Sequence, residues 1–205
     1  RPQAFVLFRM EADGSQIQPL SYANVSEWAP TVMRDGRLLW TRSEYLDKGA
    51  NFGHTLWAIR PDGSHPELIF GNNTIHCYVG GHEVPGTSEI VCTLISHGGD
   101  LNGPIALIDP QQGRSNPKAI TSLTPDVPPQ YDMTWLRQNC FRDPYPISRD
   151  LFLCSHAPDD KFGLYVIDRW GNREALYLDP NMSSMAPMPL RPSSPPPVLS
   201  KTIAA

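Results

Sequence analysis

The 205-residue sequence contains no CxxC and no CxxCH among its four cysteines, Cys77, Cys92, Cys140 and Cys154. That spacing excludes a zinc ribbon and covalent attachment of c-type haem within this stretch. No apolar run is long enough to cross a bilayer. No GxSxG is present, and the Gly-rich stretches Gly80-Gly81-His82 and His97-Gly98-Gly99-Asp100 lack the lysine of a phosphate-binding loop. Adjacent strand residues point to opposite faces, so neither Ser96-His97 nor Ser155-His156 forms a nucleophile–base pair. Excess positive charge is also missing: the formal charge is −4, which argues against charge-driven nucleic-acid binding. Helical periodicity is absent over any window of a dozen residues, and the 22 prolines are roughly twice the ordinary share of about 5%.

What is present is repetition. "LWAIRPDGSHPELIF" at 56–70 reads as two short strands joined by an Asp-Gly turn. Stretches of the same shape begin at Val6, Ile105 and Leu164. The turn glycines Gly14, Gly63, Gly113 and Gly171 stand 49, 50 and 58 residues apart. Between these hairpins lies a second recurring unit, an apolar strand, a turn and another apolar strand, starting at Trp28, His76 and Trp135. The two units together supply four strands in about 50 residues, the size and content of a propeller blade.

The expected architecture is all-β: a partial β-propeller of about three and a half four-stranded blades over 1–182. The blades fall at 25–72, 75–125 and 132–181, with an outer half-blade at 4–22. Residues 183–205 hold six prolines between 187 and 197, which cannot donate to a ladder, and read as an extended Pro-rich linker or tail. The chain starts with Arg1 and an outer half-blade, so further blades are expected upstream. A half ring leaves apolar faces open, and the expected partner is protein: the remaining blades of a parent chain, or a second copy in a homodimer. No membrane span and no nucleic acid is expected.

The Asp-Gly hairpins resemble TolB-type, WD40-like propeller repeats over nearly the full length. A narrower resemblance rests on "EWAPTVMRDGRLLWTRSEYLDKG" (27–49), "FGNN" (70–73), "VPGTSEIVCT" (84–93), "RDPYPIS" (142–148) and "LDPNMSSMAPMPLRPSSPPPVL" (178–199). These phrases are similar to the middle propeller domain of the hydrazine synthase alpha subunit and its planctomycete-type relatives. The resemblance implies a periplasmic or extracytoplasmic location and a longer parent polypeptide. It implies c-type haem only in flanking domains, so no cofactor is expected on this chain. Fold does not carry function with it. The expected role is therefore a non-catalytic scaffold, with a haem-containing oxidoreductase roofed by the propeller as the alternative.

Candidate site residues come from the loop after the second strand of each blade: Glu44, Asp47 and His54; His97 and Asp100; His156 and Asp159. Equivalent loops open on one rim, and imidazole with carboxylate suits a divalent metal or acid–base chemistry. Against this stands a solvated loop face, since His, Asp, Gly and Asn are ordinary loop residues. Trp28, Trp40, Trp57, Trp135 and Trp170 allow a sugar-binding surface, although strand positions favour packing between blades. The cysteines allow cross-strand disulfides or buried free thiols.

Overall fold

A computed structural model of the chain describes residues 4–44, 53–95, 101–129 and 138–202. Its strands fall into a two-stranded ribbon and three four-stranded antiparallel sheets. The ribbon pairs β1 (Phe8–Arg9) with β2 (Gln18–Pro19). The first sheet is β3 (Glu27–Val32), β4 (Leu38–Ser43), β5 (His54–Ile59) and β6 (Glu67–Phe70). The second is β7 (Cys77–Glu83), β8 (Ile90–Ile95), β9 (Ile105–Ile108) and β10 (Ile120–Ser122). The third is β11 (Cys140–Pro146), β12 (Leu151–Ala157), β13 (Gly163–Asp168) and β14 (Arg173–Tyr177). Every strand pairs with its neighbour in sequence, so each sheet is a meander. Among the described residues the only helices are two 3-10 turns, at 110–112 and 117–119.

The sheets stack because their strands are apolar on both faces, and the alternation along each strand shows which face meets which neighbour. Leu7 and Leu20 of the ribbon pack with Trp40 and Ile59 of the first sheet. The opposite face of that sheet, Leu39, Leu56, Ala58 and Phe70, meets Tyr78, Ile90, Cys92, Leu94 and Ala106 of the second. Val91, Ile105 and Leu107, the odd partners of those positions, turn toward Phe141, Phe152, Cys154 and Ile167 of the third. The order is therefore ribbon, first sheet, second sheet, third sheet. Being in the middle, β8 and β9 are buried at every residue, whereas β14 is exposed at every residue.

The four cysteines are buried thiols, none of them in a disulfide. Register explains why neither Cys77 with Cys92 nor Cys140 with Cys154 forms a cross-strand bridge: Cys77 lies opposite Ile95 and Cys92 opposite Ala106, while Cys140 lies opposite Ala157 and Cys154 opposite Tyr165. Burial pushes the Cys77 thiol up to about 11 and that of Cys154 up to about 12, which keeps both unreactive.

The four repeat hairpins share one turn chemistry. Gly14, Gly63, Gly113 and Gly171 all have positive φ. In each turn an aspartate accepts backbone N–H bonds: Asp13 and Asp62 directly precede the glycine, whereas Asp109 and Asp168 open their turns four and three residues before it. Asp13 accepts from Ser15 at 2.9 Å, Asp62 from Ser64 at 3.0 Å and Asp109 from Gln111 at 3.2 Å. Asp168 accepts from both Trp170 and Asn172 at 2.9 Å.

Arginine–carboxylate pairs then tie one sheet to the next. Arg169 at the β13–β14 turn grips Glu89 of the second sheet with both arms, at 2.9 and 2.7 Å, and reaches Asp150 at 3.1 Å. Arg114 of the second sheet pairs with Glu67 of the first, and Arg34 of the first stands 3.6 Å from Glu83 of the second.

Residues 183–202 run without secondary structure, as the prolines require, and lie against the sheets rather than away from them. The Ala186 N–H donates to the buried Ser155 hydroxyl at 3.0 Å, and Arg191 donates to the Ile147 carbonyl at 3.0 Å. Further on, Arg60 donates to the Ser200 carbonyl at 2.7 Å, and the Thr202 N–H donates to the Asp62 carboxylate at 2.7 Å. Proline removes donors but leaves carbonyls, so an extended segment of this kind is anchored by side chains and isolated amides instead of a ladder.

Two outcomes are expected. The turn aspartates are held below the ordinary carboxylate range: Asp13 by Ser15, Asp62 by Ser64 and Thr202, Asp168 chiefly by Asn172. At Asp109 burial alone would raise the value, and bonds from Gln112, Ser88 and Gln111 outweigh it. A depressed folded pKa stabilises fully above the unfolded value and is lost as pH falls through the folded one. Urea unfolding midpoints should therefore be flat in this respect above about pH 4 and drop below it; Asp168→Asn should shrink that drop, and an unchanged acid limb would contradict the assignment. Glu89→Ala, which strands part of a guanidinium only 22% exposed, should lower unfolding free energy by about 1–2 kcal/mol in the same measurement.

Candidate functional site

The loops expected to form one rim are the connections β4–β5, β8–β9 and β12–β13. Of the seven side chains singled out there, Asp47, His97 and Asp100 lie outside the described residues. Glu44 follows β4 directly, and its N–H donates to the Gly53 carbonyl, closing the β4–β5 loop at its base. His54 opens β5 opposite Ser43 and is buried, its ring edge-on to Trp28 at 5.2 Å. His156 is buried near the end of β12. It stacks on Phe141 with ring centroids 4.0 Å apart, meets Tyr165 edge-on at 4.8 Å, and has Nδ1 3.1 Å from the Cys140 carbonyl. Burial holds its pKa below the ordinary imidazole value, so it is a neutral packing residue at pH 7. Asp159 is exposed in the loop beyond.

Among the described residues, then, the rim histidines belong to two different interiors, and no group of three or more His, Cys, Asp or Glu gathers as a metal site. A one-residue difference in register decides this: at the end of a strand it turns a loop-like histidine into the core.

A second row of residues emerges from the inner strands β3, β7 and β11. Each breaks its ladder at the same place, between Trp28 and Thr31, between Val79 and His82, and between Arg142 and Tyr145. The bulged residue is left-handed in all three: Ala29 at φ 52°, Gly80 at 67° and Asp143 at 53°. These bulges re-aim the side chains that follow. Thr31 Oγ1 donates to the Gly81 carbonyl of the next sheet at 2.7 Å, and His82 lies 5.3 Å from the Tyr145 ring of the one after. Desolvation pushes the His82 pKa down to about 4, leaving a neutral imidazole. The Asp143 carboxylate accepts from Arg142 Nε at 2.9 Å and from Ser155 Oγ at 3.2 Å. With Arg142 on that carboxylate, a cation has little charge left to bind.

This row can order neighbouring sheets and offer hydrogen bonds, and it carries no activated nucleophile. Sequence reading missed it although a signal was there: Trp-Ala-Pro-Thr, Val-Gly-Gly-His and Arg-Asp-Pro-Tyr occupy equivalent positions, with Pro or Gly third in each.

No family model matches the chain, and no curated protein matches it. Among solved structures, Kuenenia stuttgartiensis hydrazine synthase matches with a TM-score of 0.66 and 21% identity, over 83% of this chain and 22% of that one. The likeness is one of fold, and the fold is the one that the resemblance read from the sequence phrases implies. The chain spans about a fifth of the length of the protein it matches.

The bulge row yields a paired outcome. A non-glycine residue in the left-handed region costs about 1–2 kcal/mol, of which glycine's extra chain entropy offsets about 0.5–1. Ala29→Gly should therefore stabilise by about 0.5–1 kcal/mol. Gly80→Ala should destabilise by about 1 kcal/mol through backbone strain alone, since open space faces a Cβ there. Thermal melts that move both variants in the same direction would show that the bulges are not equivalent.

Proposed function

We propose that this chain is a non-catalytic β-propeller scaffold, about three and a half WD40-like (TolB-type) blades, within a larger hydrazine-synthase-like extracytoplasmic protein. The observation that carries the reading is the pair of end surfaces. At the ribbon end Phe5, Phe8, Met10 and Ile17 are exposed, and at the other end Leu176, Leu178, Met182 and Met188 are exposed. Large apolar side chains clustered at both ends of a stack suit coverage by further protein. Residues of the described sheets spend their charge on neighbouring sheets, as Arg169, Arg114 and Arg34 do, which suits a structural role.

The likeness to one part of a much longer chain favours a second reading as well. In it the propeller roofs the active site of a multidomain haem-containing oxidoreductase. The sequence has no CxxCH, so haem would belong to flanking domains and none to this chain. A ligand- or metal-binding role for the histidine-bearing loops would need His97 and Asp100 to complete it, and metal analysis of purified protein tests that directly. No helix among the described residues is long and apolar enough to cross a membrane.

In isolation the end surfaces should drive self-association, most simply as a homodimer. Sedimentation of the 205-residue chain should show a concentration-dependent dimer that Phe8→Ser with Ile17→Ser weakens. A monomer at every concentration would contradict the scaffold reading.

A further inference from the structure

Among the described residues the ribbon is the one sheet that stops at two strands. Its β1 and β2 occupy the place in the hairpin repeat that β5 and β6, β9 and β10, and β13 and β14 occupy in the sheets. There β5, β9 and β13 are paired on both edges, the second partner being β4, β8 or β12. The corresponding edge of β1 has no partner strand among the described residues.

Register shows what that edge presents. Phe8 lies opposite Pro19 and Arg9 opposite Gln18. The Leu20 N–H donates to the Leu7 carbonyl at 2.8 Å, so by alternation Leu7 and Arg9 turn their backbone groups toward β2. Phe8, between them, turns its N–H and C=O toward the open edge. Val6 and Met10 follow the same alternation. Among the described residues the backbone groups of these three meet no hydrogen-bond partner.

Several other edges are guarded against pairing. Pro19 in β2, Pro30 in β3 and Pro144 and Pro146 in β11 remove donors, while β6 opens on Glu67 and β14 on Arg173 and Glu174. From Ala4 to Phe8 there is neither proline nor charge. The Arg9 side chain is drawn away, donating to the Pro61 carbonyl at 3.0 Å and to Gln18 at 2.8 Å. Beside the open groups, Phe8 is 58% exposed and Met10 66% exposed. An unguarded, apolar edge of this kind is a template for another strand.

We propose that the β1 edge is an interface for a second copy of this chain, with β1 pairing antiparallel to the partner's β1 about a two-fold axis at Phe8. This register sets Phe8 against its own copy and Val6 against Met10, so every open residue meets an open residue. The facing Phe8 side chains bury each other across the strands. A segment paired antiparallel with itself is two-fold symmetric, so the assembly closes at two chains. The product is a sheet of four strands, the number found in each of the other three sheets. This pairing rests on the scaffold reading and says how its ribbon end is covered.

Sedimentation and residue-resolved hydrogen exchange of the 205-residue chain, at concentrations that span dimerisation, test it. In the dimer the Phe8 and Met10 amides should slow about tenfold, while Arg9, already bonded to β2, keeps its rate. Phe8→Pro removes an outward N–H from each copy and none from the β1–β2 ladder, so it should weaken dimerisation about tenfold or more. Phe8→Leu keeps the N–H and should dimerise nearly as well as the parent. Slow exchange retained in Ile90–Ile95 of both variants shows that the sheets are intact. A dimer whose Phe8 and Met10 amides exchange as in the dilute chain would overturn the edge pairing and leave the scaffold reading standing. Equal dimerisation of the two variants would do the same, whereas a monomer at every concentration would overturn both.

Discussion

A sheet that is apolar on both faces cannot stand at the edge of a protein, and this constraint organises the whole molecule. Six residues of β8 and four of β9 are buried without exception, and their side chains alternate between two interiors. The second sheet therefore fixes the positions of the first and third. Burial at roughly 25 cal/mol per Å² of apolar surface makes these two interiors the main source of stability. The arginine pairs at the turns add geometry more than energy, because they are partly exposed and each is worth little alone.

The same constraint explains what happens at the ends. The first sheet needs a cover on its outer face, and the ribbon supplies Leu7 and Leu20 for it. Two strands cannot cover what four would, and a cavity beneath residues 20–23 lies on this incompletely covered face. At the far end, Ser155 is fully buried on the strand face opposite Phe152 and Cys154, where Ala186 of the proline-rich segment docks. That segment supplies cover without hydrogen-bonding as a strand. Both ends are thus closed by pieces less regular than a blade, and both leave large apolar side chains in solvent.

Much of this was legible in the residues. The repeat hairpins announced themselves by their turn glycines, since positive φ at Gly14, Gly63, Gly113 and Gly171 is a local requirement with a local signature. Strand order followed from short connections. The fate of His156 was not legible, because its position in core or loop depends on one residue of register at a strand end. The left-handed Ala29 and Asp143 were hidden for another reason: nothing local marks a non-glycine residue for that region, and only comparison of the three inner strands reveals the shared bulge. The docking of 183–202 depends on scattered groups such as Asp62 and Ser155, far away in sequence, which composition cannot anticipate.

The central claim is that the second sheet is the structural keystone and the ends are peripheral. Native-state hydrogen exchange resolved by residue tests it most directly, because local opening free energies track burial and packing. The slowest amides should fall in Ile90–Ile95 and Ile105–Ile108, with faster exchange in Arg173–Tyr177 and the fastest strand amides in the ribbon, at Phe8, Arg9 and Gln18. Maximum protection in the ribbon or in β14, with β8 and β9 exchanging sooner, would contradict the account.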